Sequence, residues 1–171
     1  MKSPGSIIIS FISLLFVQVI LSGLVDFGPL VFIAVFPLFV MTLPINTSLN
    51  GLLIWAFIMG LAADYFTNSI MGLNSSALLI MALVQPQIFK AVSRKGDLEN
   101  QIRPGMAQMG PAKFALYVLI LLTVHHIFFS LAESLGFTHF IYNLPRLLVS
   151  LAVNTLLILI AEYGLFYKLR R

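Results

Sequence analysis

Six apolar stretches constrain this chain more than any other feature: Ser6 to Leu24, Pro29 to Leu43, Leu49 to Phe66, Leu73 to Phe89, Ala112 to Leu135 and Leu144 to Tyr167. A helix rising 1.5 Å per residue needs about 20 apolar residues to cross the hydrocarbon of a bilayer. Lipid offers no water to an open backbone, so a chain of this kind crosses as helices or as a closed barrel. Six runs of helical length imply an all-α integral membrane protein, a compact bundle of six transmembrane helices in one domain over residues 1–171. No soluble domain is expected, because the outer connections are only a few residues long. Composition agrees: 60% of residues are hydrophobic, 9% are charged and the mean hydropathy is +1.02. That is more apolar surface than one soluble core buries.

The second stretch is the shortest and carries Pro37 in its middle, which removes a backbone N–H, while Pro44 ends it. A kinked crossing is expected there, with a re-entrant segment as the alternative. Asn46, Thr47 and Ser48 supply an N-cap cluster for the third stretch, and Gly72 precedes the fourth. Lys2, the apolar run from Ile7 to Leu21 and then Ser22 and Gly23 have the outline of a signal peptide. The length of that run and the spans that follow favour an uncleaved first helix.

A formal net charge of +4 and a pI near 9.6 would suggest nucleic acid for a soluble domain. Here the cations sit in loops and tails, so they set orientation and no nucleic-acid partner is expected. With six spans and both termini inside, nine of the ten Lys and Arg residues fall on the cytoplasmic side and only Arg146 falls outside. A multi-pass topology with cytoplasmic N- and C-termini is expected. Residues 90–111 then form a cytoplasmic loop rich in Gly and Pro, read as a mobile connector in which Met106 and Met109 could form a short surface helix. The chain has no cysteine, which excludes disulfides, thiolate metal sites, iron–sulfur clusters and thiol nucleophiles.

Polar residues inside apolar spans are costly and therefore informative. Gly60 and Asp64 end the third stretch, with Gly72 and Asn74 just beyond, in a pattern that reads as a membrane hairpin and the principal joint of the fold. Asp64 and Arg146 fall near the same face, so an ion pair between them is expected; a proton or substrate site and a contact with a partner's helix are the alternatives. Arg146, Ser150 and Asn154 recur every four residues and form a polar stripe on the sixth stretch. Glu162 is expected to snorkel or to meet Lys168 or Arg170. His125 and His126 point about 100° apart and cannot both bind one metal, so interhelical hydrogen bonding is expected for them, and His126 shares a face with Glu133.

Trp55 reads as packing, and Tyr65, Phe66, Tyr142 and Tyr167 as interface anchors. No nucleophile elbow, zinc-protease helix or phosphate loop is present. Asp26 and Asp64 could be offered as the carboxylate pair of a membrane aspartyl peptidase, but no motif of that class surrounds them. Catalytic, cofactor and metal sites are therefore not expected.

Five segments, in order and spacing, carry a resemblance: Phe39 to Pro44 (FVMTLP), Ala56 to Asp64 (AFIMGLAAD), Gly72 to Ala77 (GLNSSA), Met81 to Pro86 (MALVQP), and His125 to Glu133 (HHIFFSLAE) leading to Arg146. Together they resemble the rod shape-determining MreD family, in its Bacteroidetes-like form, over nearly the whole chain. Asn74 stands where the family often has His, and Gln85 where it often has Arg, so roles resting on those side chains do not carry over. The resemblance implies a non-enzymatic subunit of the cell-elongation complex of the bacterial inner membrane that binds an MreC-like bitopic partner. It also implies association with RodA and a class B penicillin-binding protein to position peptidoglycan synthesis. Gly60, Asp64, Gly72, Asn74, Glu133, Arg146 and Asn154 are the fold and interface candidates. A second expectation, from a different class, is the substrate-binding membrane subunit of a small-solute, vitamin-type transporter, which would show a polar cavity between its spans.

Overall fold

A computed structural model of the chain describes residues 4–24, 31–93, 103–134 and 137–164. Five helices are long and apolar enough to cross a membrane: α1 (Pro4–Leu24), α3 (Leu49–Phe66), α4 (Leu73–Val92), α6 (Pro111–Ser134) and α8 (Leu144–Glu162). Three are short: α2 (Pro37–Met41), α5 (Met106–Met109) and α7 (Phe137–Tyr142). Local chemistry sets several of the boundaries. Ser48 caps α3, its Oγ accepting the Gly51 N–H at 3.2 Å. Gly72, at φ 90°, turns the chain into α4 through the left-handed region that favours glycine. Pro145 sits in the first turn of α8, where a missing N–H costs nothing.

The long helices pack in the order α1, α3, α4, α6, α8, with α4 between α3 and α6, and α2 in the middle touching α1, α3, α4 and α6. One continuous apolar core joins Leu14, Phe39, Met59, Leu78, Met81 and Phe114. Large apolar side chains also cover the outside, with Ile9 67% and Ile160 68% exposed. Apolar groups inside and out, with polar groups kept within, are what a helical bundle in lipid requires.

The stretch from Pro29 to Leu43 is not a continuous helix, which corrects the expectation of six helical spans. Among its described residues, 31–35 are non-helical and only Pro37–Met41 is α-helical, yet Ile33 to Leu43 are all buried. Its two ends lie at opposite ends of the bundle. Val31 and Phe32 line a cavity with Thr67 to Ile70, beyond the end of α3. At the other end Pro44 and Ile45 lie beside Pro86 and Lys90 near the end of α4. Pro37 explains where helix begins: a helix continued upstream would lose the bond from residue 37 to Ile33 and meet the proline ring.

Two buried carboxamides take over the work of a neighbouring strand. Gln18 Nε2 donates to the Ile33 carbonyl at 2.9 Å and its Oε1 accepts the Val35 N–H at 2.7 Å. On the opposite edge Asn154 Nδ2 donates to the Phe32 carbonyl at 2.6 Å and its Oδ1 accepts the Ala34 N–H at 2.8 Å. Ser150 Oγ accepts the Phe32 N–H at 2.8 Å. Successive residues of an extended chain direct their N–H and C=O groups to alternate sides, so 33 and 35 meet α1 while 32 and 34 meet α8. Each of these groups, left unpaired in an apolar surrounding, would cost on the order of several kcal/mol.

The far end of this segment is held as firmly. Tyr117 Oη donates to the Met41 carbonyl at 3.0 Å and accepts from Gln85 Nε2 at 2.9 Å. Arg103 donates from Nε to the Thr42 carbonyl, and its Nη2 lies 3.0 Å from Thr42 Oγ1. Residues 103–110 therefore dock on the bundle, with Pro104, Gly105 and Met109 buried, and the expectation of a mobile connector does not hold for them. Glu162 is buried rather than snorkelling, and its Oε1 accepts the Met106 N–H at 3.4 Å. Lys168 and Arg170 lie outside the described residues.

Candidate functional site

Gly60 and Asp64 stand one helical turn apart on the face of α3 that meets α4. A Cβ built on Gly60 would lie 2.4 Å from Ser75 Cα and 2.7 Å from Ser75 N, so only glycine lets the two backbones approach this closely. Directly above, the Asp64 carboxylate receives the start of α4. Its Oδ2 accepts the Gly72 N–H at 2.9 Å and the Ser75 hydroxyl at 3.2 Å, with the Ser75 N–H at 3.4 Å; its Oδ1 accepts the Asn74 N–H at 3.0 Å and Asn74 Nδ2 at 2.8 Å. The N-cap, Gly72, has no side chain to offer, and a carboxylate from the preceding helix replaces it. Gly60, Asp64, Gly72 and Asn74 are thus brought together as one joint.

Substituting Gly60 with alanine should force α3 and α4 apart and destabilise the bundle by about 1–3 kcal/mol, the usual range for overpacking. The check is the melting temperature of purified protein in detergent. Gly23→Ala, whose Cβ meets nothing within 4 Å, is the control and should not lower it.

The expected pair of Asp64 with Arg146 does not form. Arg146 Nη1 instead meets both carboxylate oxygens of Glu133, at 2.9 and 3.1 Å. Asp64 is completely buried against the N–H groups of α4, whose helix dipole supplies the compensating positive charge. Glu133 and Arg146 come from α6 and α8, which pack together with the short α7 between them in sequence. Asp26 lies outside the described residues, so its relation to Asp64 is not described.

Asn154 ties the polar stripe of α8 to the histidines. Its Nδ2 lies 2.9 Å from His126 Nε2, and because its Oδ1 already accepts from Ala34, that nitrogen must donate. His126 Nε2 is therefore the acceptor and Nδ1 carries the proton. His125 Nδ1 is 3.4 Å from His126 Nδ1, and His125 packs edge-on against Phe36. The interhelical bonding expected of the two histidines is thus found for His126 alone, since His125 reaches only its neighbour on α6 and its buried Nε2 has no hydrogen-bond partner among the described residues. Among the described residues no group of three or more His, Asp or Glu side chains is placed to hold a metal ion.

At the end of the bundle where α3 stops and α8 starts lies a cavity of about 580 Å³. Asn74, Glu133 and Arg146 share its wall with Gln18, Phe32 and Phe129. Phe32 stacks on Phe129 with centroids 4.1 Å apart. Ser22, Gly23, Asn68 and Ile70 line it as well and are exposed.

Several residues that organise this end and the opposite one were not singled out from sequence: Gln18, Tyr117, Arg103 and the bonding role of Gln85. Gln18 had a signal, since a lone carboxamide in an apolar run must find partners in lipid. Tyr117 and Arg103 had none, because each bonds a backbone carbonyl more than 60 residues away. Comparison with protein families, with characterised proteins and with solved structures returned no match.

Proposed function

We propose that this chain is a non-enzymatic, six-crossing inner-membrane subunit of a cell-elongation complex, resembling MreD, with both termini cytoplasmic. It binds an MreC-like bitopic protein and helps RodA and a class B penicillin-binding protein position peptidoglycan synthesis. Five helices cross in the ordinary way, and residues 31–43 supply the sixth crossing. The observation that carries the reading is where the resembling segments fall. Ala56 to Asp64 and Gly72 to Ala77 form the α3–α4 joint, and Glu133 meets Arg146. The polar groups of these segments are largely spent on internal bonds, which leaves lateral apolar faces for partners. α1 has such a face: Ile9, Ile12, Phe16 and Ile20 recur at helical spacing and are exposed.

The test is affinity capture of the full chain after gentle detergent extraction from its native membrane. Co-purification of a bitopic MreC-like protein or of the synthase pair is the expected result. Recovery of neither would overturn the reading.

A second reading, a substrate-binding subunit for a small solute, is favoured by one specific observation, the 580 Å³ cavity with its mixed polar and aromatic wall. Co-purification of an ATPase-coupled membrane subunit would support it over the first.

A further inference from the structure

We propose that the cleft between Thr47 and Lys90 is a binding site for the headgroup of an anionic glycerophospholipid of the phosphatidylglycerol type. The proposal goes beyond the partner and solute readings and requires only that the chain lie in a bilayer.

The cleft, of about 170 Å³, lies at the end of the bundle where α3 starts and α4 stops, opposite the larger cavity. Ile45, Leu52 and Phe89 give it an apolar wall, while Thr47, Gln85 and Lys90 supply its polar groups. Lys90 is exposed in the last turn of α4, and no carboxylate lines the cleft with it among the described residues. A phosphate can therefore approach its ammonium without displacing a partner. Arg146 at the opposite end differs, with Glu133 at 2.9 Å. The surroundings reinforce the sign: the described residues at the Lys90 end include Arg103 and Lys113 against one carboxylate, the buried Glu162.

Gln85 adds a second requirement. Tyr117 Oη gives its proton to the Met41 carbonyl, so it must accept from Gln85, and the carboxamide is fixed with Nε2 towards Tyr117. Its Oε1 then accepts from no described residue and, although the side chain is 6% exposed, stays open to a water-sized group. A headgroup hydroxyl satisfies that acceptor. Choline offers it no donor, and choline and ethanolamine each bring a second cation beside Lys90. Phosphoglycerol brings an anion and hydroxyl donors without a cation.

The face of α4 fits a lipid as well. Leu83, Pro86 and Lys90 lie at i, i+3 and i+7 on one face, and Leu83 is exposed. Seven residues rise about 10 Å, which sets the acyl chains along Leu83 towards the bilayer interior and the phosphate at the helix end.

The test uses delipidated full-length protein in detergent with phosphatidylglycerol, phosphatidylcholine and phosphatidylethanolamine of identical chains, and with glycerophosphate as the chainless probe. Native mass spectrometry reads retained lipid, and thermal shift reads binding of each probe. Phosphatidylglycerol should be retained at least fivefold more than either zwitterionic lipid, and glycerophosphate should bind at least tenfold more weakly than phosphatidylglycerol. Lys90→Gln should bring the lipid preference below twofold, whereas Lys90→Arg should keep it. Lys113→Gln removes the same charge at the same end but outside the cleft, and should also keep it. A lysine that serves only the dipole of its own helix would lower the melting temperature equally in every lipid and leave the preference unchanged. Equal retention of the three lipids, glycerophosphate binding as tightly as phosphatidylglycerol, wild-type preference in Lys90→Gln, or the same loss in Lys113→Gln would each overturn the proposal.

Discussion

Asp64→Ala is expected to destabilise the bundle by about 3–5 kcal/mol, the range found when one side of a buried charged interaction is removed. The carboxylate holds the N–H groups of Gly72, Asn74 and Ser75 together with two side-chain donors, and alanine leaves them facing an empty buried space. Water cannot reach them readily, because Asp64 is fully buried and Asn74 and Ser75 nearly so. The first turn of α4 should fray and the α3–α4 joint loosen, lowering both the melting temperature in detergent and the yield of monodisperse protein. Asp64→Asn should recover only part of the loss, since its NH2 group would face donors. Tyr65→Ala, next in sequence but 68% exposed, should change neither quantity. An Asp64→Ala protein that melts with the wild type would show that the joint does not depend on the cap.

The second large effect is expected at Asn154, where leucine of similar shape removes three bonds at once. Lost are the acceptor for the Ala34 N–H, the donor to the Phe32 carbonyl and the contact with His126. At about 1–3 kcal/mol for each group left buried and unpaired, the sum reaches roughly 3 kcal/mol or more. Gln18→Leu acts on the other edge of the same segment. The double variant should therefore lose less than the two single losses added together, because once one edge is released the other has less left to hold. Melting temperatures of the four proteins measure that coupling, and strict additivity would mean that the two carboxamides act independently.

Sequence revealed the helices and the α3–α4 joint because both rest on local signals. An apolar run of helical length is self-sufficient in lipid, and Gly60 with Asp64 at a spacing of four must share a face. It misassigned Asp64's partner for a physical reason. Opposite charge suggested Arg146, yet the free N–H groups at the start of a helix whose N-cap lies eight residues later satisfy a carboxylate without any cation. Arg146 was then left for Glu133, 13 residues before it.

Residues 29–43 read as a helix because apolar composition does not distinguish a helix from an extended chain whose bonds are made by side chains elsewhere. The two groups that decide it, Gln18 and Asn154, lie 136 residues apart in sequence and meet only across the folded segment. Glu162 sits where a terminal charge could reach water, yet it is buried and its Oε1 accepts the Met106 N–H, while Arg103, in a stretch read as a mobile connector, bonds Thr42 across the bundle end.

The stability predictions for Asn154 and Gln18, and one wall of the 580 Å³ cavity, depend on the extended segment between α1 and α8. Solid-state NMR of uniformly carbon- and nitrogen-labelled protein in lipid bilayers tests it most directly, through the Cα and Cβ shifts of Phe32 to Val35 and the exchange of their amides. Extended-type shifts, with the Ala34 and Val35 amides protected from exchange, are the predicted result. Helical shifts through Phe32 to Val35, or rapid exchange at Ala34 and Val35, would contradict the account.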